Sequence, residues 1–154
     1  LATKRTFSRR GGWSEHVTST YRSGLEEGIA GQLENAGVPV AFEKYYLEYT
    51  IPASVHKYTP DFLLPNGIIV ESKGLFESED RKKHLLVKAQ YPHLDIRFIF
   101  SNPNQKLYKG SPTTYAMWCE KYGFLYAKKL IPLAWLKEKP KDTTGLQTKK
   151  GGKS

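Results

Sequence analysis

The chain has 154 residues, 39% of them hydrophobic, a single cysteine and a net charge of +9. That length suits one domain with one core. With no run of 18 apolar residues it excludes a membrane-spanning helix. Cys119 has no second cysteine to pair with, which fits a reducing cytosol. The N-terminus has no apolar h-region, so no secretory leader is expected.

The placement of charge says more than its total. Residues 1–20 carry Lys4, Arg5, Arg9 and Arg10 against Glu15, and residues 137–154 carry six lysines against Glu138 and Asp142. The middle is nearly balanced. Basic, glycine-containing ends on a balanced core fit arms that grip a polyanion such as nucleic acid. Solubilising tails are the bland reading of the same charge. We therefore divide the chain into a flexible basic arm (1–20), a folded domain (21–136) and a basic tail (137–154). Trp13 in the arm either docks on the body or stacks on a base.

In chain order, the first predicted helix runs over residues 21–36. Leu25, Ile29 and Leu33 form one apolar stripe, Ser19 or Thr20 caps the start, and Gly37 ends it. Glu26 flanks the stripe and can be turned into a cleft. Residues 38–51 are aromatic and β-prone, and Pro52 stops them. So long a strand needs a partner, and a second copy of the chain is one candidate.

Residues 58–64 form the next predicted strand, then Pro65-Asn66-Gly67, then a strand over 68–73. Asn-Gly between apolar runs signals a hairpin. A two-residue loop sets Phe62 opposite Glu71. A three-residue loop, with Gly67 left-handed, sets Asp61 opposite Glu71 and puts both carboxylates on one face. We predict the three-residue loop. A second helix follows over 77–91 with Leu85 and Leu86 inward, then a strand over 96–100, which closes a parallel β-α-β unit. Ser111-Pro112 opens a third helix ending at Gly123, residues 124–127 form a short strand, and 132–136 a helical turn.

The stretch PDFLLPNGIIVESK carries the chemistry: Asp61, ten positions later Glu71, two positions later Lys73. Phosphodiester hydrolysis needs a nucleophile brought to an anion and a stabilised leaving oxygen, and a divalent metal serves both. Magnesium takes one or two carboxylates plus water. Asp61 and Glu71 supply carboxylates, the backbone carbonyl of Ser72 is a further candidate ligand, and Glu26 adds another carboxylate. Lys73 can orient a water or stabilise charge on phosphorus. A Glu-x-Lys alone is common on solvated strands. A Pro-Asp, a hairpin and an apolar run before it make the set specific. Candidate phosphate contacts are Lys4, Arg5, Arg9 and Arg10 in the arm, Arg81 and Lys82 on the second helix, and Lys106 and Lys109 in the loop before the third. His56, His84 and His93 lack zinc spacing. His56 reads either as a phosphate contact or as structural, and Tyr58 reads as packing.

Pro60-Asp61 followed by Glu71-Ser72-Lys73 resembles the PD-(D/E)xK nuclease superfamily. Tyr21 to Glu26, Ile51 to Ser54, Tyr58 to Ile68, Asp80 to Leu86, Leu107 to Thr113 and Lys129 to Pro132 are similar to the phage endonuclease I family, the junction-resolving enzymes of podoviruses. The resemblance implies a mixed α/β fold, a central mixed β-sheet flanked by helices, restriction-endonuclease-like, in a domain-swapped homodimer. Residues 21–44 would be exchanged across a bridging strand over 45–51. Each catalytic site would then combine Glu26 of one subunit with Asp61, Glu71 and Lys73 of the other. It also implies magnesium or manganese as cofactor and paired nicking of four-way (Holliday) and other branched DNA. The expected location is the cytoplasm of an infected bacterial host. A nicking or mismatch endonuclease with the same site, and a non-catalytic DNA-binding module, are the alternatives.

Overall fold

The computed structural model describes residues 23–51 and 54–149. The arm, including Lys4, Arg5, Arg9, Arg10 and Trp13, lies outside the described residues.

Helix α1 (Gly24–Asn35) begins one turn later than the apolar stripe suggested, because Ser23 caps it: its Oγ accepts the Glu26 N–H at 3.1 Å. Strand β1 (Tyr45–Ile51) is shorter than the predicted run from Val38, since residues 38–44 are irregular and Glu43 adopts a positive φ of 50°. β2 (Ser54–Tyr58) pairs antiparallel with β1, Leu47 facing Tyr58 and Ile51 facing Ser54. The aromatic strand thus finds its partner within its own chain. Its other side is also covered: β7 (Gln147–Thr148) pairs with Tyr45 and Tyr46. The Gln90 side chain brackets Thr50 like a strand, accepting its N–H at 2.7 Å and donating to its carbonyl at 2.8 Å.

The strand expected over 58–64 is two strands in two sheets. β2 ends at Tyr58 and β3 is only Phe62–Leu63. Pro60 between them has no N–H for a ladder. β3 pairs antiparallel with β4 (Ile69–Lys73), β4 parallel with β5 (Ile96–Phe100), and β5 parallel with β6 (Tyr126–Lys128). The main sheet is therefore mixed, in the order β3-β4-β5-β6. Helix α2 (Ser78–Gln90) connects β4 to β5; α3 (Tyr115–Tyr122) precedes β6, and α4 (Leu133–Leu136) follows it. The cap of α3 is Thr114, which accepts the Met117 N–H. Ser111 is instead buried in the preceding turn, its Oγ accepting from the Thr113 N–H.

Alternation along β4 and β5 divides the interior. Ile69, Phe98 and Phe100 face Phe76, Val87, Tyr115, Trp118 and Phe124 under α2 and α3. Val70 and Ile99 face Ile29, Leu33, Phe62, Ile131 and Trp135 under α1. The inner residues of α2 are His84 and Val87, with Leu85 and Leu86 only half-buried. The His84 ring is packed edge-on by Tyr58 and Phe98, and neither of its nitrogens finds a hydrogen-bond partner among the described residues. Burial, then the charges of Lys73 and Lys83, push its pKa well down, which keeps it neutral.

The expected tail is laid along the body as far as Lys149. Its anchor is Arg97 on β5, whose side chain is 3% exposed, sits over the Trp135 ring, and bonds to both Asp95 and Glu138. The Arg97 and Lys141 partners hold the Glu138 carboxyl down at about 2. A carboxylate so lowered contributes stability that is fully present above its ordinary range and is lost as pH falls through the folded value. Thermal melts followed by circular dichroism should show a falling midpoint between about pH 4.5 and pH 2. Glu138→Gln should melt lower at neutral pH and lose less of its midpoint over that acid range.

Candidate active site

The hairpin register is the one predicted for a three-residue loop. Phe62 faces Val70, Leu63 faces Ile69, and the Leu64 N–H donates to the Ile68 carbonyl at 2.9 Å, so continuing the register sets Asp61 opposite Glu71. Gly67 closes the loop at φ 91°, and a Cβ there would lie 2.8 Å from the Lys141 carbonyl oxygen. No other residue fits that position without moving the Lys141 backbone.

Asp61 is 6% exposed and tied down on several sides. Its Oδ2 accepts from both the Ser72 N–H and the Ser72 hydroxyl at 2.9 Å. Its carbonyl accepts the Glu43 N–H at 2.8 Å. Ser72, whose carbonyl the sequence offers as a ligand, also enters the site through these two donors. Glu71, 4% exposed, turns its Oε1 to the Tyr58 hydroxyl at 2.7 Å and its Oε2 to the Lys73 ammonium at 3.7 Å. Lys73 also reaches Asp80 at the start of α2.

Glu26 arrives from α1. That helix is fixed by Gln32, whose amide donates to the Ile131 carbonyl at 2.8 Å and accepts the Ile131 N–H at 3.0 Å. In this single chain Glu26 comes to Asp61 from the chain's own α1, whereas the resemblance brought it from a partner. The carboxylates of Glu26, Glu43 and Asp61 each offer an oxygen within 4.8 Å of the others. An all-oxygen, mostly buried donor set of this kind fits a hard divalent cation such as magnesium.

The charges act on one another. Burial first, then the Asp61 charge, raise the Glu71 carboxyl to about 8, against the lowering effects of Lys73, the Tyr58 hydroxyl and Lys83. Burial disfavours the Lys73 ammonium, but Glu71, Asp80 and Asp61 together outweigh it and hold its pKa above the usual lysine range.

A profile of the phage endonuclease I family matches residues 8–153. The chain belongs to the phage endonuclease I family. It is 57% identical over 134 residues to endonuclease I of Escherichia phage T7, covering 86% of this chain and 90% of the relative. It is 56% identical over 135 residues to endodeoxyribonuclease 1 of Enterobacteria phage T3, covering 86% and 89%.

In this member of the phage endonuclease I family, the four residues singled out from sequence form one connected set: Glu26 lies beside Asp61, the Asp61 N–H points to Glu71, and Glu71 contacts Lys73. Three further residues join them. Glu43 was missed because it lies in an irregular segment with no periodicity to mark it. Tyr58, read as packing, also hydrogen-bonds Glu71. Asp80, in the first turn of α2, holds Lys73 from the other side. Among the DNA candidates, Lys82, Lys106 and Lys109 are exposed. Arg81 instead donates to the Phe76 carbonyl at 2.6 Å. Lys106 and Lys109 flank the exposed Tyr108 on a groove of about 430 Å³. His56 is exposed and shares a hydrogen bond with the Ser54 hydroxyl.

A carboxyl raised by burial and a like charge costs stability once it must ionise, so the cost grows as pH rises from the ordinary carboxyl range to about 8. In chelator-treated protein, the melting midpoint of Glu71→Gln should therefore exceed that of wild type by several degrees at about pH 8 and match it near pH 5.

Proposed function

We propose that the chain is a metal-dependent deoxyribonuclease that resolves four-way and other branched DNA by paired nicks on opposed strands. Membership of the phage endonuclease I family supports the nuclease class, as do the printed names of the T7 and T3 relatives. The observation that carries the chemistry is the convergence of Glu26, Glu43 and Asp61 beside Glu71 and Lys73.

Asp61 and Glu26, with Glu43 and Glu71 beside them, would hold magnesium or manganese. When bound, such a cation neutralises phosphate charge and makes water more acidic. Ser72 fixes the Asp61 carboxylate with two donors, so its geometry is set before any ligand arrives. Tyr58 fixes Glu71 in the same manner. Lys73 presents a cation to the negative charge that builds on phosphorus. Lys82, Lys106 and Lys109 are exposed cations suited to phosphates outside the site, with Lys4, Arg5, Arg9 and Arg10 extending that reach.

The acting unit in this reading is a homodimer, since two opposed nicks need two sites. The exchange of residues 21–44 between subunits is part of the proposal. A swap preserves each contact of the closed chain, so the α1 packing described above is compatible with either arrangement. Infected bacterial cytoplasm is the proposed location.

With magnesium present, the protein should cut a four-way junction in preference to linear duplex of the same sequence, on gels of end-labelled strands. Asp61→Asn should be inactive, and Lys73→Ala should fall on the order of a hundredfold in kcat. Preference for linear duplex would point to the nicking or mismatch endonuclease, and binding without cleavage to the non-catalytic module. Mixing Glu26→Ala with Lys73→Ala chains tests the exchange. Cleavage should return in the mixture, because one site of each mixed dimer is intact; no recovery would mean that each site is built from one chain.

A further inference from the structure

Lys73 is held from two sides, and only one side belongs to the carboxylate cluster. Its ammonium lies 3.7 Å from Glu71 Oε2 and 3.3 Å from Asp80 Oδ1. A lysine has four carbons of free rotation, so the longer contact to Glu71 leaves the head group loosely placed. Asp80 is different, because its own carboxylate is immobilised. Oδ2 accepts the Glu77 N–H at 3.2 Å, and the Glu77 side chain returns a bond to the Asp80 backbone, a reciprocal capping box at the first turn of α2. One oxygen thus belongs to the helix start and the other to Lys73.

The connection between the two is short and rigid. Four residues, 74–77, separate the end of β4 from the start of α2. The Phe76 side chain is fully buried among aromatics, its N–H donates to the Tyr115 hydroxyl, and its carbonyl accepts from Arg81. The start of α2 is therefore a fixed point relative to the strand carrying Glu71 and Lys73.

We propose that Asp80 is a positioning residue: it aims the Lys73 ammonium at the Glu71–Asp61 edge of the site and acts on the reaction only through Lys73. Ordinary helix capping is the competing account. This inference rests on the nuclease reading above for its kinetic consequence but not for its geometry.

Asp80→Asn separates the accounts, because an amide oxygen still accepts from the Glu77 N–H while the charge that holds Lys73 is gone. Positioning requires kcat on branched DNA to fall between about tenfold and a hundredfold at unchanged KM and unchanged melting midpoint. It also requires that Asp80→Asn add nothing in a Lys73→Ala background, as residues acting as one unit are non-additive. An additive loss, an unchanged kcat, or a kcat loss matched by a lowered midpoint would overturn it. A second readout needs no DNA: acylation of Lys73 by a water-soluble succinimidyl ester, followed by mass spectrometry. It should run severalfold faster in Asp80→Asn, and an equal rate would refute the contact. If wild type cuts no branched DNA, the nuclease reading fails while the acylation rate still decides the positioning.

Discussion

The site depends on one constraint, the register of the hairpin between β3 and β4. A slip of one residue would send Asp61 or Glu71 to the opposite face, because strand side chains alternate. The loop between them holds that register by itself only in part. Asn66 donates its side-chain amide to the Trp135 and Glu138 carbonyls, and its own carbonyl accepts the Lys141 N–H. Gly67 is in contact with the Lys141 backbone. The Arg97 ion pairs then fasten the same segment to β5. A basic stretch that reads as a tail is thus part of the frame that keeps two carboxylates opposite each other.

What the frame holds is unfavourable in itself. Burial disfavours a charged carboxyl and the neighbouring Asp61 repels it, and the raised Glu71 carboxyl reflects both, burial first. The surroundings answer with fixed donors: Tyr58 to Glu71, Ser72 to Asp61, and Lys73 between Glu71 and Asp80. Such an arrangement trades stability for a ready-made anionic pocket, a pattern common where charge must be presented to a cation or a phosphate. The neutral His84 behind Tyr58 and the aromatic packing around Phe76 supply the rigid backing.

The catalytic hairpin was legible in the sequence because its signals are local. Asn-Gly fixes a turn, alternation fixes the faces, and together they set Asp61 opposite Glu71. Helix α1 was legible for the same reason apart from its start, where Ser23 rather than Ser19 or Thr20 accepts the Glu26 N–H on its hydroxyl oxygen and the helix begins at Gly24. The less legible features are those built from distant or irregular backbone. The β1–β2 pairing was hidden because Pro52 reads as the end of a strand and residues 54–57 carry no strand signal of their own. Glu43 sits at a positive φ, where no periodicity applies. The docked segment after Lys137 has few apolar residues, and its attachment relies on carbonyls, one asparagine and ion pairs, which composition does not display.

The bonds from Asn66 to Trp135 and Glu138 span 69 and 72 positions of chain. The hairpin can form early, since its contacts are local, but its outer braces cannot exist until those later residues have left the ribosome. Synthesis therefore passes through a stage in which the carboxylates are already encoded and folded near one another while the clamp that fixes their spacing is still missing. The finished geometry therefore waits on residues 135–141, and the order of translation itself delays the moment at which the acidic pocket acquires its final shape.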